Sequence, residues 1–151
     1  MRFIFVDEIL EMEPGKSIRA VKTVSAEEEL FRDHFPGFPV VPGVLLTEMM
    51  DQAAGKCLDA ENKPRGKAML ARIVSASFHD WIGPDESVII HAKIKTNQNK
   101  YATADCHVEV QGRKVCNAEL FFAFVPMERF APGYVDEVLE KYMRQKKDRI
   151  E

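Results

Sequence analysis

Four residues in one segment could together carry out proton transfer: His34, Gly43, Glu48 and Gln52. Histidine is the side chain best suited to act as a base near neutral pH, and a carboxyl group in an apolar stretch can act as a general acid. A glycine at a helix start presents an open backbone N–H at the positive end of the helix dipole, where it can bind an oxygen that gains negative charge. The set suggests acid–base chemistry next to a carbonyl group.

Each of these residues also has an ordinary structural explanation. A lone glutamate in a helix usually faces water, a glycine often simply begins a helix, and a lone histidine is more often structural than catalytic. Two observations favour chemistry. Gln52 follows Glu48 by one helical turn, so its amide can hydrogen-bond the carboxyl group, and three prolines stiffen the segment "HFPGFPVVPG" that begins at His34.

The surrounding sequence predicts an α+β fold in which an antiparallel sheet wraps one long helix. Two β-leaning runs, residues 2–12 and "SIRAVKTVS", flank the turn "EPGK" and predict a hairpin. Ser25 followed by Glu28 has capping-box spacing and predicts one or two helical turns. A helix that is buried on nearly all sides is predicted from Val44 to about Ala60. Four more strands are predicted, at about 67–78, 86–96, 101–110 and 114–125.

The C-terminal segment is expected to be an amphipathic helix. Pro132 lies near its predicted start, and its apolar face comprises Val135, Val138, Leu139 and Tyr142. We therefore expect residues 1–126 to form the main domain and residues 127–151 to be a helical extension of the same domain.

The composition excludes several classes of protein. A net charge of −3 and a pI near 5.9 argue against nucleic-acid binding, which needs a basic excess. No stretch approaches the roughly 18 apolar residues of a membrane span, and the start does not resemble a signal peptide. Three cysteines without a CxxC spacing suggest neither disulfides nor a zinc site. The expected location is the cytoplasm, without membrane insertion.

The central segment resembles a known enzyme signature. "HFPGFPVVPGVLLTEMMDQAAG" is similar to the pattern HFPGxPxxPGVLxxExxxQxxG of the FabZ-type 3-hydroxyacyl-[acyl-carrier-protein] dehydratases, in the FabA/FabZ hotdog family. The similarity extends back through "FVDEILEMEPGKSIRAVKTVS" and fades after residue 125. FabA-type dehydratase-isomerases carry Asp in place of Glu48, so the resemblance favours dehydration without isomerisation.

The resemblance implies a hotdog fold, a homodimer with a continuous sheet, or a trimer of such dimers, and a site shared between subunits. Matched to the family pattern, His34 and Glu48 are the catalytic residues and Gly43 supplies the oxyanion N–H. Gln52 is expected to help bind the substrate. The implied reaction dehydrates (3R)-3-hydroxyacyl thioesters to trans-2-enoyl thioesters, in fatty acid or related polyene or polyketide synthesis.

No cofactor is expected, because the reaction requires no redox or metal step, and the spacings of His79, His91 and His107 do not indicate a metal site. The alternatives are a non-catalytic hotdog module that binds acyl thioesters, an inactive partner subunit, or a hotdog thioesterase.

Three departures from the family pattern affect these expectations. Asp33 replaces the usual glycine before the histidine, and Asp51 adds a carboxyl group beside Glu48. The stretch "SASFHDWIGPDE" lacks the arginines that are thought to meet the acidic carrier protein in the family. The substrate is therefore expected on acyl carrier protein or on coenzyme A, and a carrier would dock on other basic residues, such as Lys63, Arg65, Lys67 and Arg72.

Overall fold

The computed structural model describes residues 1–130 and 133–150, with one sheet wrapped around a long helix. All strand pairs are antiparallel, and the strand order across the sheet is β1-β2-β4-β5-β6-β3. The strands are β1 (Glu8–Glu13), β2 (Ser17–Thr23), β3 (Lys67–Phe78), β4 (Ser87–Asn97), β5 (Tyr101–Val110) and β6 (Arg113–Val125). The helices are α1 (Leu30–Asp33), α2 (Gly43–Asp59) and α3 (Glu137–Ile150), and a single 3-10 turn spans Met127–Arg129.

Helix α2 forms the centre of the core, as predicted. Pro42 fixes the backbone just before its first residue, and the helix itself contains no proline to interrupt it. The helix contacts strands β2 to β6. Its side chains at Met49, Met50 and Ala53 are almost completely buried against the inner face of the sheet. Along β5 and β6, nearly every second side chain is apolar and buried, as expected for strands with one face toward the core.

The hairpin and the four later strands are confirmed, but the short helix before the proline segment begins later than predicted. The Ser25 hydroxyl accepts from the backbone N–H of Glu27 at 3.2 Å, and the Ser25 carbonyl accepts from Glu28 at 3.1 Å. These bonds close a turn rather than start a helix, and α1 follows only at Leu30. Strand β1 likewise begins at Glu8 instead of at residue 2.

Strand β3 lies at the edge of the sheet and leaves an apolar surface uncovered. Within the described residues it pairs with β6 alone. Its side chains at Met69, Ile73, Val74 and Phe78 are each more than two-fifths exposed. A long apolar edge strand is a ready template for pairing with another chain.

The C-terminal helix is confirmed as α3, and most of its predicted apolar face packs against the core. Val138, Leu139 and Tyr142 pack against the core, whereas Val135 remains about half exposed. The backbone N–H of Met12 donates to Tyr142 Oη at 3.1 Å. Pro132, the predicted helix start, lies outside the described residues. Over residues 1–130 and 133–150, no helix is both long and apolar enough to cross a bilayer.

Candidate active site

His34 stands where α1 ends, and its ring is held by the loop that follows. The Nδ1 atom lies 3.0 Å from the carbonyl oxygen of Val40. A carbonyl only accepts hydrogen bonds, so Nδ1 carries the proton and Nε2 keeps a free lone pair. The backbone N–H of Val40 also donates to the His34 carbonyl at 3.0 Å. The loop thus fixes both the orientation and the tautomer of a potential base.

The loop between His34 and α2 owes its shape to a tight turn and to one contact with the rest of the chain. Phe35 and Phe38 exchange two backbone hydrogen bonds of 2.9 Å. Gly37 within this turn has φ of +77°, a conformation that side chains other than glycine rarely adopt. The N–H of Val41 donates to the Ile82 carbonyl at 2.8 Å and ties the loop to the segment before β4. The prolines thus stiffen a loop whose ends are already held.

His34 and Gly43 line the same cavity, which has a volume of about 250 Å³. Gly43 is the first residue of α2, so its N–H has no partner inside the helix. Its missing side chain matters here, because a Cβ would lie 3.2 Å from the Phe78 ring. The free Nε2 of His34 and an open helix N-terminus therefore share one cavity with aromatic walls.

Glu48 and Gln52 lie one turn apart on α2 and are hydrogen-bonded, as the sequence predicts. Gln52 Nε2 donates to Glu48 Oε1 at 3.0 Å. The same amide is fixed by the N-terminal segment: its oxygen accepts from the Phe5 N–H at 2.8 Å, and its nitrogen donates to the Phe3 carbonyl at 3.3 Å. Gln52 thus has a defined orientation and holds the Glu48 carboxyl group in place.

Asp51 lies close to Glu48 on α2, so that two carboxyl groups of like charge are neighbours. Burial, followed by the neighbouring Glu48, raises the pKa of Asp51 to about 7, although Lys67 and Lys56 oppose the shift. Asp51 therefore keeps its proton to a higher pH than an ordinary aspartate does.

The structure brings the four predicted site residues together in two groups, not one. Glu48, Asp51 and Gln52 line a second cavity of about 690 Å³, and neither His34 nor Gly43 is among its lining residues. Within one subunit, His34 and Glu48 thus lie in different cavities. The family resemblance implies this separation, because there the two residues come from different subunits.

Sequence reasoning missed the aromatic surroundings of both cavities. Phe78 and Trp81 line the cavity of His34, and Tyr134 lines that of Glu48. Trp81 is the chain's one tryptophan, and its side chain is 64% exposed beside Phe38, with ring centroids 6.2 Å apart. A tryptophan in a turn was an available signal, since a large apolar side chain outside a strand or helix often serves binding.

The basic residues considered for carrier docking are mostly engaged within the chain. Lys63 and Arg65 both pair with Glu61, at 3.2 and 2.8 Å. Lys67 pairs with the Asp59 carboxylate at 2.6 Å. Arg72, by contrast, is exposed on edge strand β3. Asp33, the unexpected neighbour of His34, is also exposed.

Comparison with known proteins agrees with the sequence signature. The family model described as a FabA-like domain matches residues 1–119. The chain is 35% identical over 122 residues to the 3-hydroxyacyl-[acyl-carrier-protein] dehydratase FabZ of Listeria monocytogenes serotype 4b (strain CLIP80459), covering 80% of this chain and 85% of that protein. It is 38% identical over 120 residues to FabZ of Pediococcus pentosaceus (strain ATCC 25745 / CCUG 21536 / LMG 10740 / 183-1w), covering 79% and 80%.

Among solved structures, a hypothetical thioesterase from Streptococcus pneumoniae TIGR4 with coenzyme A superimposes with a TM-score of 0.64. The match covers 79% of this chain and 85% of that chain at 16% sequence identity. At this identity, the likeness shows a shared hotdog fold alone.

Proposed function

Because this chain belongs to the FabA-like domain family, we propose that it is a hydro-lyase that dehydrates (3R)-3-hydroxyacyl thioesters to trans-2-enoyl thioesters in fatty acid synthesis. The observation that carries this proposal is the cavity in which His34 and the N-terminus of α2 meet. Nδ1 of His34 is occupied by the Val40 carbonyl, which leaves Nε2 as a base. Catalysis is proposed to need this base, an acid and an oxyanion donor.

The proposed mechanism assigns one task to each group. His34 Nε2 removes the proton from C2 of the substrate, and the Gly43 N–H stabilises the negative charge that develops on the thioester oxygen. Glu48 then gives its proton to the C3 hydroxyl, which departs as water while the double bond forms. Gln52 holds the Glu48 carboxyl group at the required angle. The two proton transfers balance, and no cofactor enters the scheme.

We propose that a second copy of the chain completes the site. His34 and Glu48 line separate cavities in one subunit. Strand β3 offers an exposed apolar edge through Ile73, Val74 and Phe78, and Phe78 also lines the cavity of His34. Pairing of β3 with β3 of a second subunit would cover this edge and continue the sheet. A trimer of such dimers is the larger assembly that we propose.

The proposed substrate is a thioester on acyl carrier protein, with coenzyme A as the alternative carrier. Support for a carrier protein comes from the FabZ relatives, whose names specify it. Lys63, Arg65 and Lys67 each form an ion pair, and Lys63 and Arg72 are the exposed members of the docking set. We therefore propose that carrier docking uses fewer basic contacts than the family pattern would supply.

Two further assignments belong to this proposal. Residues 1–126 are proposed as the hotdog domain and residues 127–151 as its helical extension, since α3 packs on the core and Lys56 pairs with Asp136 at 3.0 Å. A cytoplasmic location is proposed because the three cysteines are free and buried, as suits a reducing compartment.

An absorbance assay for the conjugated enoyl thioester tests the reaction. Purified protein is incubated with 3-hydroxyacyl substrates of several chain lengths, each on acyl carrier protein and on coenzyme A. We expect enoyl product with the wild-type chain. His34→Ala and Glu48→Gln should each lower kcat by about a hundredfold or more. Comparing the rates on acyl carrier protein and on coenzyme A shows which thioester the protein prefers.

The control is His107→Ala, which removes a histidine of β5 that lines neither the cavity of His34 nor that of Glu48. It should retain most of the activity, and circular dichroism should show that all variants fold. Tight binding of the thioester without turnover would instead identify a non-catalytic module. Release of free carrier thiol would identify a thioesterase.

A further inference from the structure

A histidine pair and a carboxylate meet on the face of the sheet that points away from α2. His91 of β4 is directly opposite His107 of β5 in the strand register. Their neighbours Ala92 and Val108 are buried under the sheet, so the two imidazoles project to the outer face. Glu109, two residues after His107, projects to the same face. The cluster therefore lies on rigid, paired strands.

The three side chains are close enough to surround one ion. One ligand atom from each of His91, His107 and Glu109 lies within 4.8 Å of the other two. His91 Nε2 is 2.8 Å from Glu109 Oε1, and the two imidazole rings stack with centroids 4.3 Å apart. A tetrahedral ion with bonds of about 2.1 Å separates its ligand atoms by about 3.4 Å. Rotation of the two rings out of their parallel stack would bring all three atoms onto one ion.

We propose that His91, His107 and Glu109 bind a divalent transition-metal ion, with Zn²⁺ as the representative ligand. Imidazole nitrogens favour Zn²⁺, Cu²⁺ and Ni²⁺, whereas Mg²⁺ and Ca²⁺ prefer sites made of oxygen atoms. Three protein ligands leave a fourth position for water. This composition distinguishes the cluster from an ordinary ion pair, for which His91 and Glu109 alone would suffice.

The charges near the cluster act on a bound cation in opposite directions. The Lys114 charge opposes a cation, whereas the Glu109 carboxylate favours it. Two neutral imidazoles and one carboxylate would leave a bound divalent ion with one residual positive charge.

The cluster is separate from the proposed catalytic residues. His91 and His107 line an open groove of about 1130 Å³, and none of the three members of the cluster lines the cavities of His34 or Glu48. His79 also lines the groove but bonds to Asn117, 2.8 Å away, and is not a member of the cluster. The metal site therefore does not depend on the proposed reaction, and His79 provides a matched control.

Calorimetric titration of the untagged, metal-free chain with zinc chloride tests the site. We expect one Zn²⁺ per chain, with affinity reduced by about tenfold or more in His91→Asn, in His107→Asn and in Glu109→Gln. His79→Asn should bind as the wild type does. Zinc should also raise the Tm of the wild type but not that of His107→Asn. Excess Mg²⁺ should not displace the ion.

Three results would overturn the proposal. They are the absence of zinc uptake by the folded wild type, uptake that is unchanged in both histidine variants, and equal loss of uptake in His79→Asn. Glu109→Gln preserves the size of the side chain and its hydrogen-bonding oxygen, so it tests the carboxylate even where a histidine variant folds poorly.

Discussion

At the scale of single residues, the carboxyl pair on α2 is the feature most particular to this chain. Glu48 is expected from the family pattern, but Asp51 is not, and the two carboxyl groups carry like charge. Gln52, one helical turn after Glu48, donates a hydrogen bond to it. The proposed acid is thus held by Gln52 and lies beside a second carboxyl group.

Asp51→Asn should change how stability depends on pH. In the folded chain the pKa of Asp51 is raised from 3.8 to about 7. Between about pH 4 and 7 the unfolded chain therefore loses this proton first, and the free energy of unfolding falls as pH rises through that window. Asparagine removes the titration, so the variant should be more stable than the wild type at pH 8 and should show a flatter profile. Urea unfolding at several pH values measures the free energy of unfolding at pH 8 and its dependence on pH.

Asp148→Asn is the control for that experiment, because Asp148 is exposed on α3. It should leave the pH profile as in the wild type. A wild-type profile in Asp51→Asn, or a variant less stable than the wild type at pH 8, would contradict a carboxyl group that keeps its proton through burial.

At the scale of elements, most of the fold could be predicted because its signals are local. Period-two alternation and turn residues predicted the hairpin and strands β3 to β6, and the run of helix formers after Pro42 predicted α2. The predicted start of α1 was wrong, because Ser25 forms a local turn that competes with helix formation. The His91 and His107 cluster could not be predicted from spacing, since it depends on the register between β4 and β5.

The turn in the loop that holds His34 can be tested by alanine substitution at two glycines. A Cβ at Gly37 or at Gly55 would meet no atom within 4 Å, but Gly37 has φ of +77° and Gly55 lies within α2. Gly37→Ala should therefore cost about 1–2 kcal/mol of the free energy of unfolding. Gly55→Ala should instead stabilise the chain by about 0.5–1 kcal/mol.

Chemical denaturation of the two alanine variants measures both effects. Gly37→Ala should also lower kcat, because the turn sets the position of the His34 ring. Equal stability changes in the two variants would contradict the turn geometry.

At the scale of the whole molecule, the proposed shared site depends on the separation of His34 from Glu48. Each lines its own cavity in one subunit, and the exposed edge of β3 lies close to one of them through Phe78. The fold of one chain could be predicted from its sequence, and the grouping of the site residues could be predicted only through the resemblance. No local pattern reports which side chains meet across an interface.

Mixing two inactive variants tests the shared site most directly. His34→Ala and Glu48→Gln chains carrying different affinity tags are co-expressed, and the mixed dimers are isolated through both tags. In a mixed dimer, one site combines His34 from one subunit with Glu48 from the other and is intact, while the second site lacks both groups. Isolated mixed dimers should recover about half of the wild-type dehydration rate. Mixed dimers as inactive as either parent would contradict a site built from both subunits.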